Sequence, residues 1–314
     1  MANTANSASA ANQAATANGP TAANSVTILE QGRVGGIGDI GRGAGKPAAG
    51  GGGGGGGGYD LDASYSIDTI PLIHWDASTL ESENSASDGS TFSTWTSREG
   101  NDYDLNQADA AEQFTYEATS SNMNSKPVVV SSDGARHMMT ATDFLSAGTV
   151  TQPVTLIFAI HKETLGSLKA LFSGKDTSGS GLWHFTDYSP RSIFGSPQWY
   201  IYDGGYVGGS TTDMVTGAQI ITWELNPAGT TNFYKELARS TTVSGTPSAN
   251  NPFNYLFSLG SATNGGYDVP TDTEIGEVII FNEVLSDTTV TSDNVDGGEL
   301  FTIISYLKNK YGIS

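Results

Sequence analysis

The chain has 314 residues, enough for one large β domain with an appendage or for two small domains, and its 40 glycines and 13 tyrosines are typical of turn-rich β proteins. A formal net charge of −19 argues against nucleic acid as a partner, because phosphate binding needs a basic face. The sequence has no cysteine, which excludes disulfide bonds and thiol chemistry, and no apolar run approaches the roughly 18 residues of a membrane span.

Residues 1–25 consist almost entirely of Ala, Asn, Thr and Ser. Because this composition cannot bury a core, we expect a segment that is disordered or that orders on a partner. Met1 is followed by neither a basic region nor an apolar one, so we expect no Sec signal peptide and synthesis in the cytoplasm.

Residues 26–46 combine isolated apolar residues with a glycine at every third position from 32 to 41. A period of three fits an extended polyproline II-like or collagen-like strand, which allows several chains to approach closely. This interpretation predicts a homotrimeric stem or a docking peptide, and the alternative is a glycine-rich linker with chance spacing. The candidate assembly residues are Val26, Ile28, Val34, Ile37 and Ile40.

A run of nine glycines, from Gly50 to Gly58, marks a domain boundary. Such a run is a flexible tether that spans on the order of 15–20 Å. We therefore divide the chain into an arm (1–49), a tether (50–58) and a domain (59–314). The part before Tyr59 has a net charge of +1, which leaves −20 for the domain.

From Tyr59 onward, short apolar runs alternate with turn residues, which predicts an all-β domain. Its middle is dense in aromatic residues that lie near carboxylates. Aromatic faces and carboxylates suit a sugar-binding surface, whereas a β core would bury about half of these side chains. The candidate ligand-binding residues are Trp183, Tyr188, Trp199, Tyr202, Tyr206 and Asp203.

One loop, with Asn101, Asp102 and Asp104, supplies hard oxygen ligands of the kind that Ca²⁺ prefers. The spacing is not that of an EF-hand, so the alternative is a set of turn-forming residues. We expect no required cofactor, and a structural calcium ion is the one candidate.

Residues 274–313 predict a core strand followed by a helix. The apolar run 278–281 indicates a strand covered on both faces. Residues 299–311 show one apolar stripe at helical spacing. Lys308 and Lys310 suit the negative C-terminal end of the helix dipole, and Gly312 is a typical residue to end the helix. The predicted stripe consists of Leu300, Ile303, Ile304, Leu307 and Tyr311.

Glu274 and Glu277 are the best candidates for the carboxyl pair that a glycanase needs. They are three positions apart on one strand, so we expect them on opposite faces, as solvated edge carboxylates. The four histidines show neither metal nor triad spacing. We therefore predict no enzymatic activity.

Four segments carry motifs that recur together in one family: Pro71–Ser78, Lys126–Val130, Ile275–Asn282 and Tyr306–Ile313. They resemble the motifs of concanavalin A-like, laminin-G-like jelly-roll domains, of the kind found in phage structural proteins and exported bacterial modules. The resemblance implies an all-β, two-sheet antiparallel jelly-roll sandwich with one C-terminal helix, here preceded by a low-complexity, glycine-rich arm. Lectins, glycanases, adhesins and structural modules share this fold, and the glycanase motif Glu-x-Asp-x-x-Glu is absent.

The leading hypothesis is a virion structural protein, namely a capsid decoration protein, head fibre or tail-associated adhesin that displays a lectin-like domain on the virion surface. The arm would bind the major capsid protein or another virion protein, and the domain would bind a host-surface glycan. The alternative is a carbohydrate-binding module or lectin outside a virion, and a glycan hydrolase ranks third.

Overall fold

The computed structural model describes residues 58–99, 103–131, 138–140, 153–163, 169–175, 182–188, 198–203, 206–213, 215–226, 232–239, 256–260, 273–285 and 297–314. The five candidate assembly residues of the arm lie outside this part of the chain, as do Asn101 and Asp102.

The described part of the chain contains eighteen strands, two α-helices, α1 (Leu80–Asn84) and α2 (Gly298–Tyr311), and two short 3₁₀ helices at Ala77–Thr79 and Ala110–Glu112. The strands are Tyr59–Asp60 (β1), Ser66–Ile67 (β2), Ile73–Asp76 (β3), Thr94–Trp95 (β4), Leu105–Asn106 (β5), Thr115–Ser120 (β6), Lys126–Ser131 (β7), Met138–Thr140 (β8), Val154–Lys162 (β9), Lys169–Lys175 (β10), Leu182–Tyr188 (β11), Gln198–Asp203 (β12), Tyr206–Asp213 (β13), Gly217–Leu225 (β14), Asn232–Lys235 (β15), Ala238–Arg239 (β16), Leu256–Leu259 (β17) and Thr273–Phe281 (β18).

These strands form two large antiparallel sheets and one small hairpin. Sheet I has the order β16-β15-β14-β9-β18-β7-β6, with β3 also paired to β18. Sheet II has the order β13-β12-β11-β10-β17-β8-β5-β4, and β1 pairs only with β2 among the described residues. The predicted two-sheet antiparallel sandwich with a C-terminal helix is confirmed.

The main core lies between the two sheets and is built from large aromatic side chains. The Phe158 ring of sheet I stacks on Phe172 of sheet II with centroids 5.2 Å apart. Phe172 stacks in turn on Phe257, which contacts Trp75 of β3 with centroids 5.2 Å apart. Since the strands alternate, Phe158 faces this core while its neighbours Ile157 and Ala159 face the opposite side of sheet I.

Helix α2 covers that opposite side of sheet I and produces a second apolar cluster. All five residues of the predicted stripe are buried, and Gly312 ends the helix in the left-handed conformation at φ 67°. The stripe predicts the face of the helix correctly because 3.6-residue periodicity alone sets which positions meet a flat sheet. Tyr306, outside the predicted stripe, is also buried, at 1% exposure.

Candidate functional site

Sheet I and α2 enclose a set of charged and hydroxyl side chains, which we call the Glu277 cluster. Its members come from β3, the segment after β4, β18 and α2. They are His74, Asp76, Arg98, Glu277, Tyr306, Lys310 and Tyr311.

Two of these residues, His74 and Asp76, alternate with Trp75 along β3. Trp75 belongs to the core between the sheets, where its Nε1 donates to the Tyr103 carbonyl over 2.9 Å. Strand alternation therefore turns His74 and Asp76 toward α2. Both are buried, at 0% and 3% exposure.

Glu277 is the centre of the cluster and is completely buried. His74 Nε2 donates to Glu277 Oε2 over 2.8 Å. The hydroxyls of Tyr306 and Tyr311 donate to Oε1 over 2.8 and 3.2 Å, and the Lys310 ammonium also binds Oε1. Both carboxylate oxygens are thus hydrogen-bonded, which allows Glu277 to remain charged at a fully buried position.

Lys310 bridges the two buried carboxylates. Its Nζ donates to both oxygens of Asp76 over 3.0 Å as well as to Glu277. The ammonium also lies 5.5 and 5.4 Å from the ring centroids of Tyr306 and Tyr311. The sequence predicts that Lys310 lies in the last turn of the helix and interacts with the helix dipole. The structure shows that it also pairs with the buried carboxylates of Asp76 and Glu277.

Arg98 and Tyr59 close the cluster on the side of β1. Arg98 Nη1 lies 3.6 Å from Asp76 Oδ2, and the guanidinium donates to the carbonyls of Leu61 and Asp60 over 3.1 and 3.3 Å. The Tyr59 hydroxyl lies 2.8 Å from His74 Nδ1. Two cations therefore face two carboxylates, and the charges balance within the protein.

The charges set the protonation states in the cluster. Burial alone would raise the pKa of Glu277, but the Lys310 ammonium and the hydrogen bond from His74 lower it to about 2. Burial opposes the charge of Lys310, yet the Glu277 and Asp76 carboxylates raise its pKa above the ordinary value. Burial, reinforced by Glu277, raises the pKa of Tyr306. Glu277 and Lys310 are therefore charged at neutral pH and Tyr306 is protonated.

The expectation that Glu274 and Glu277 are solvated and lie on opposite faces is wrong. Both are buried, at 6% and 0% exposure. A register shift between Ile275 and Glu277 leaves Gly276 as an extra residue, at the point where β18 changes partner from β7 to β3. One extra residue inverts the alternation, so both carboxylates lie on the α2 side while Ile275 faces the main core.

Glu274 has its own set of partners, separate from those of Glu277. The Ser120 hydroxyl donates to Oε2, and Asn122 Nδ2 donates to Oε1 over 2.7 Å. His161 Nδ1 lies 3.7 Å from the same Oε1. Each carboxylate is thus held by different side chains, and neither is presented to solvent as an acid or base.

A cleft of about 590 Å³ opens above the Glu277 cluster. Asp76, Arg98, Tyr306 and Lys310 form part of its lining, and the rest comes from the β1–β2 segment, from the residues after β3, from the β6–β7 region and from α2. The donors of Lys310 are used by Asp76, Glu277 and Tyr306. The charged floor of the cleft therefore stabilises the fold and has little bonding capacity left for a ligand.

The candidate ligand-binding residues lie on three neighbouring strands at one end of sheet II, although they are up to 23 positions apart in the sequence. Backbone pairing sets Trp183 opposite Asp203 and Tyr202 opposite Tyr206. Trp199 pairs with Asp187. Opposed Cα atoms in such ladders are about 4.5–5.5 Å apart, so the fold gathers these residue types in one region.

Of the three calcium candidates, the structure describes only Asp104. Its carboxylate accepts a hydrogen bond from the Ser97 amide over 3.1 Å, which ties the segment after β4 to the start of β5. This contact is the kind that a turn-forming aspartate makes. The calcium prediction stays a prediction.

The sequence missed His74, Asp76, Arg98, Tyr306 and Lys310 as a group. They come from three segments, and the contact of Lys310 with Asp76 spans 234 positions. One local signal was present, because a histidine and an aspartate two positions apart in an otherwise apolar strand place two polar groups on one buried face.

No protein-family model matches the chain, and no curated protein matches it in sequence. Among solved structures, domain 4 of AbnA, a GH43 extracellular arabinanase from Geobacillus stearothermophilus, in complex with arabinotriose, is 12% identical with a TM-score of 0.48, over 77% of this chain and 98% of that one. Trypanosoma rangeli sialidase in complex with sialic acid is 14% identical with a TM-score of 0.47, over 73% of this chain and 33% of that one. No functional conclusion follows from likenesses this loose.

Every helix in the described part of the chain, including α1 and α2, is too short or too polar to span a bilayer.

Proposed function

We propose that residues 59–314 form a carbohydrate-binding module that acts without catalysis through the aromatic residues of β11 and β12. The observation that carries this proposal is the pairing of β11 with β12, which sets Trp183 opposite Asp203 and Trp199 opposite Asp187. An aromatic face packs against the apolar face of a pyranose, and a carboxylate accepts hydrogen bonds from its hydroxyls.

The absence of catalysis is proposed from the state of the carboxylates. A glycosidase needs one carboxyl group that can donate a proton and a second that can act as base or nucleophile. Glu274 and Glu277, the best candidates in the sequence, are both buried and hydrogen-bonded. A pKa of about 2 makes Glu277 a poor proton donor at neutral pH.

Affinity electrophoresis of the full chain in gels containing soluble polysaccharides, after a glycan array has identified a ligand, tests the proposal. We expect Trp199→Ala and Trp183→Ala to weaken binding at least about tenfold, because each would remove a stacking surface. Phe301→Ala is the matched control, since Phe301 is an exposed aromatic residue on α2, at 36% exposure. The proposal is refuted if no glycan retards the full chain. It is also refuted if a Trp183→Ala/Trp199→Ala double variant is retarded as strongly as the parent.

Display on a larger particle such as a virion is a second candidate, and the sequence before Tyr59 favours it. The arm is poor in apolar residues and is followed by nine glycines, an arrangement that separates an anchor from a displayed domain. Val26 and Ile28 would add a strand to a neighbouring sheet edge, and Val34, Ile37 and Ile40 would pack about a threefold axis. Three linked arms would then bind more strongly than one.

A truncated chain that begins at Tyr59 tests display separately from sugar binding. We expect it to stay folded and monomeric, to keep its glycan ligand and to fail to load onto particles that lack this protein. If the truncated chain decorates the particles as completely as the full chain does, the sandwich itself is the anchor.

A further inference from the structure

Three buried side chains of the Glu277 cluster match the donor set of a metal site. Ligand atoms of His74, Asp76 and Glu277 lie within 4.8 Å of one another, and all three residues are buried. One imidazole nitrogen with carboxylate oxygens suits Mn²⁺ or Zn²⁺, whereas Ca²⁺ and Mg²⁺ prefer oxygen ligands alone.

The side chain of Lys310 fills this position. Its Nζ lies 3.0 Å from each oxygen of Asp76 and binds Glu277 Oε1, so it bridges the same carboxylates that a metal would bridge. The Tyr306 hydroxyl, 3.1 Å from Nζ, accepts a further hydrogen bond. We propose that Lys310 is the built-in cation of this site, and that its removal converts the cluster into a binding site for a divalent transition metal.

The charge balance supports this replacement. Lys310 and Arg98 offset the two carboxylates, and a divalent ion entering beside Lys310 would meet a like charge and carboxylates already in use. Without Lys310, one buried negative charge is left without compensation, and a divalent ion restores an attractive partner for both carboxylates.

His74 also has the support that a metal-binding histidine needs. Its Nδ1 lies 2.8 Å from the Tyr59 hydroxyl while its Nε2 points at Glu277. Metal-binding histidines commonly donate the other ring N–H to a fixed acceptor, which sets the tautomer. Transfer of the proton from Nε2 to Nδ1 would let Nδ1 donate to Tyr59 and free Nε2 for the metal.

The experiment compares the full chain with its Lys310→Ala variant, with Lys308→Ala as a control from the same turn of α2 that lies outside the cluster. Mn²⁺ binding is measured by electron paramagnetic resonance, and the thermal midpoint is measured in EDTA, MnCl₂ or CaCl₂. We expect Lys310→Ala to bind one Mn²⁺ per chain, and its midpoint to rise by several degrees in MnCl₂ over EDTA, with a smaller rise in CaCl₂. The parent chain and Lys308→Ala should show neither effect.

A second variant separates this site from other acidic groups. Lys310→Ala combined with Glu277→Gln removes one carboxylate ligand and should lose the Mn²⁺ response. If Lys310→Ala does not fold in EDTA, refolding from urea with and without MnCl₂ becomes the measurement, and recovery only with Mn²⁺ supports the proposal. Recovery under neither condition, a folded variant that binds no Mn²⁺, or stoichiometric binding by the parent chain each overturns it.

Discussion

Acid unfolding of the Glu277→Gln variant measures how strongly the Glu277 cluster stabilises the sandwich. The pKa of Glu277 is lowered from an ordinary 4.5 to about 2, so the folded state holds its proton less tightly than the unfolded state. A difference of this size corresponds to about 3 kcal/mol of stability. Because the folded pKa is the lower one, this contribution is complete above pH 4.5 and is lost as the pH falls toward 2.

Glutamine is nearly isosteric with the protonated form of Glu277, so the parent and the variant should converge at low pH. At pH 7 we expect the variant to be about 3 kcal/mol less stable, and we expect the difference to disappear near pH 2. Urea unfolding followed by the fluorescence of the buried Trp75, Trp95 and Trp223 gives the free energy at each pH. Carboxylates outside the Glu277 cluster titrate alike in both proteins and cancel in the difference.

The control is Glu283→Gln, which neutralises an exposed carboxylate two positions beyond β18. Its stability should follow that of the parent within about 0.5 kcal/mol at every pH. A Glu277→Gln difference that is constant between pH 7 and pH 2, or that is absent at pH 7, would refute the electrostatic account of the cluster.

Three further changes test the packing around α2. Leu307→Asp should unfold the sandwich, because it places a charge on a fully buried position at a cost of several kcal/mol, and circular dichroism would detect the loss of β structure. Gly276→Ala should lower the free energy of unfolding by about 1–3 kcal/mol, because a Cβ there would lie 2.4 Å from the Tyr311 ring. Gly297→Ala is the control, since a Cβ at position 297 meets no atom within 4 Å, and it should leave urea unfolding nearly unchanged. Ser120→Ala should cost about 1–3 kcal/mol by removing a donor from buried Glu274, and an unchanged urea midpoint would contradict that role.

The strand and helix at the C-terminus could be predicted from the sequence because each buries a regular pattern. The apolar run of β18 and the 3.6-residue stripe of α2 are properties of neighbouring residues, and both are buried as expected. The faces of Glu274 and Glu277 could not be predicted by counting, because Gly276 adds a residue on one strand only. A glycine inside an apolar strand is itself a signal for such a bulge.

The Glu277 cluster could not be predicted because its charged residues meet only when α2 packs against β3 and β18 in the folded protein. A lysine in the last turn of a helix is usually solvated and suits the dipole whether or not a carboxylate lies opposite. Only the meeting of α2 with β3 and β18 gives Lys310 two buried partners. The aromatic residues of β11–β13 could be predicted in part. The sequence shows that this region is rich in aromatic residues, but it does not show which of their strands pair.

The point where the tether enters the sandwich is bonded to the same cluster. Tyr59 directly follows the nine glycines, and its hydroxyl contacts His74, which donates to Glu277. Arg98 holds the next two residues through their carbonyls while it faces Asp76. A force applied through these glycines would therefore act on hydrogen bonds that connect Tyr59 to β3 and β18 of sheet I. If the domain is displayed through its N-terminus as proposed, this arrangement would resist peeling there, because releasing Tyr59 also disturbs the partners of a buried carboxylate.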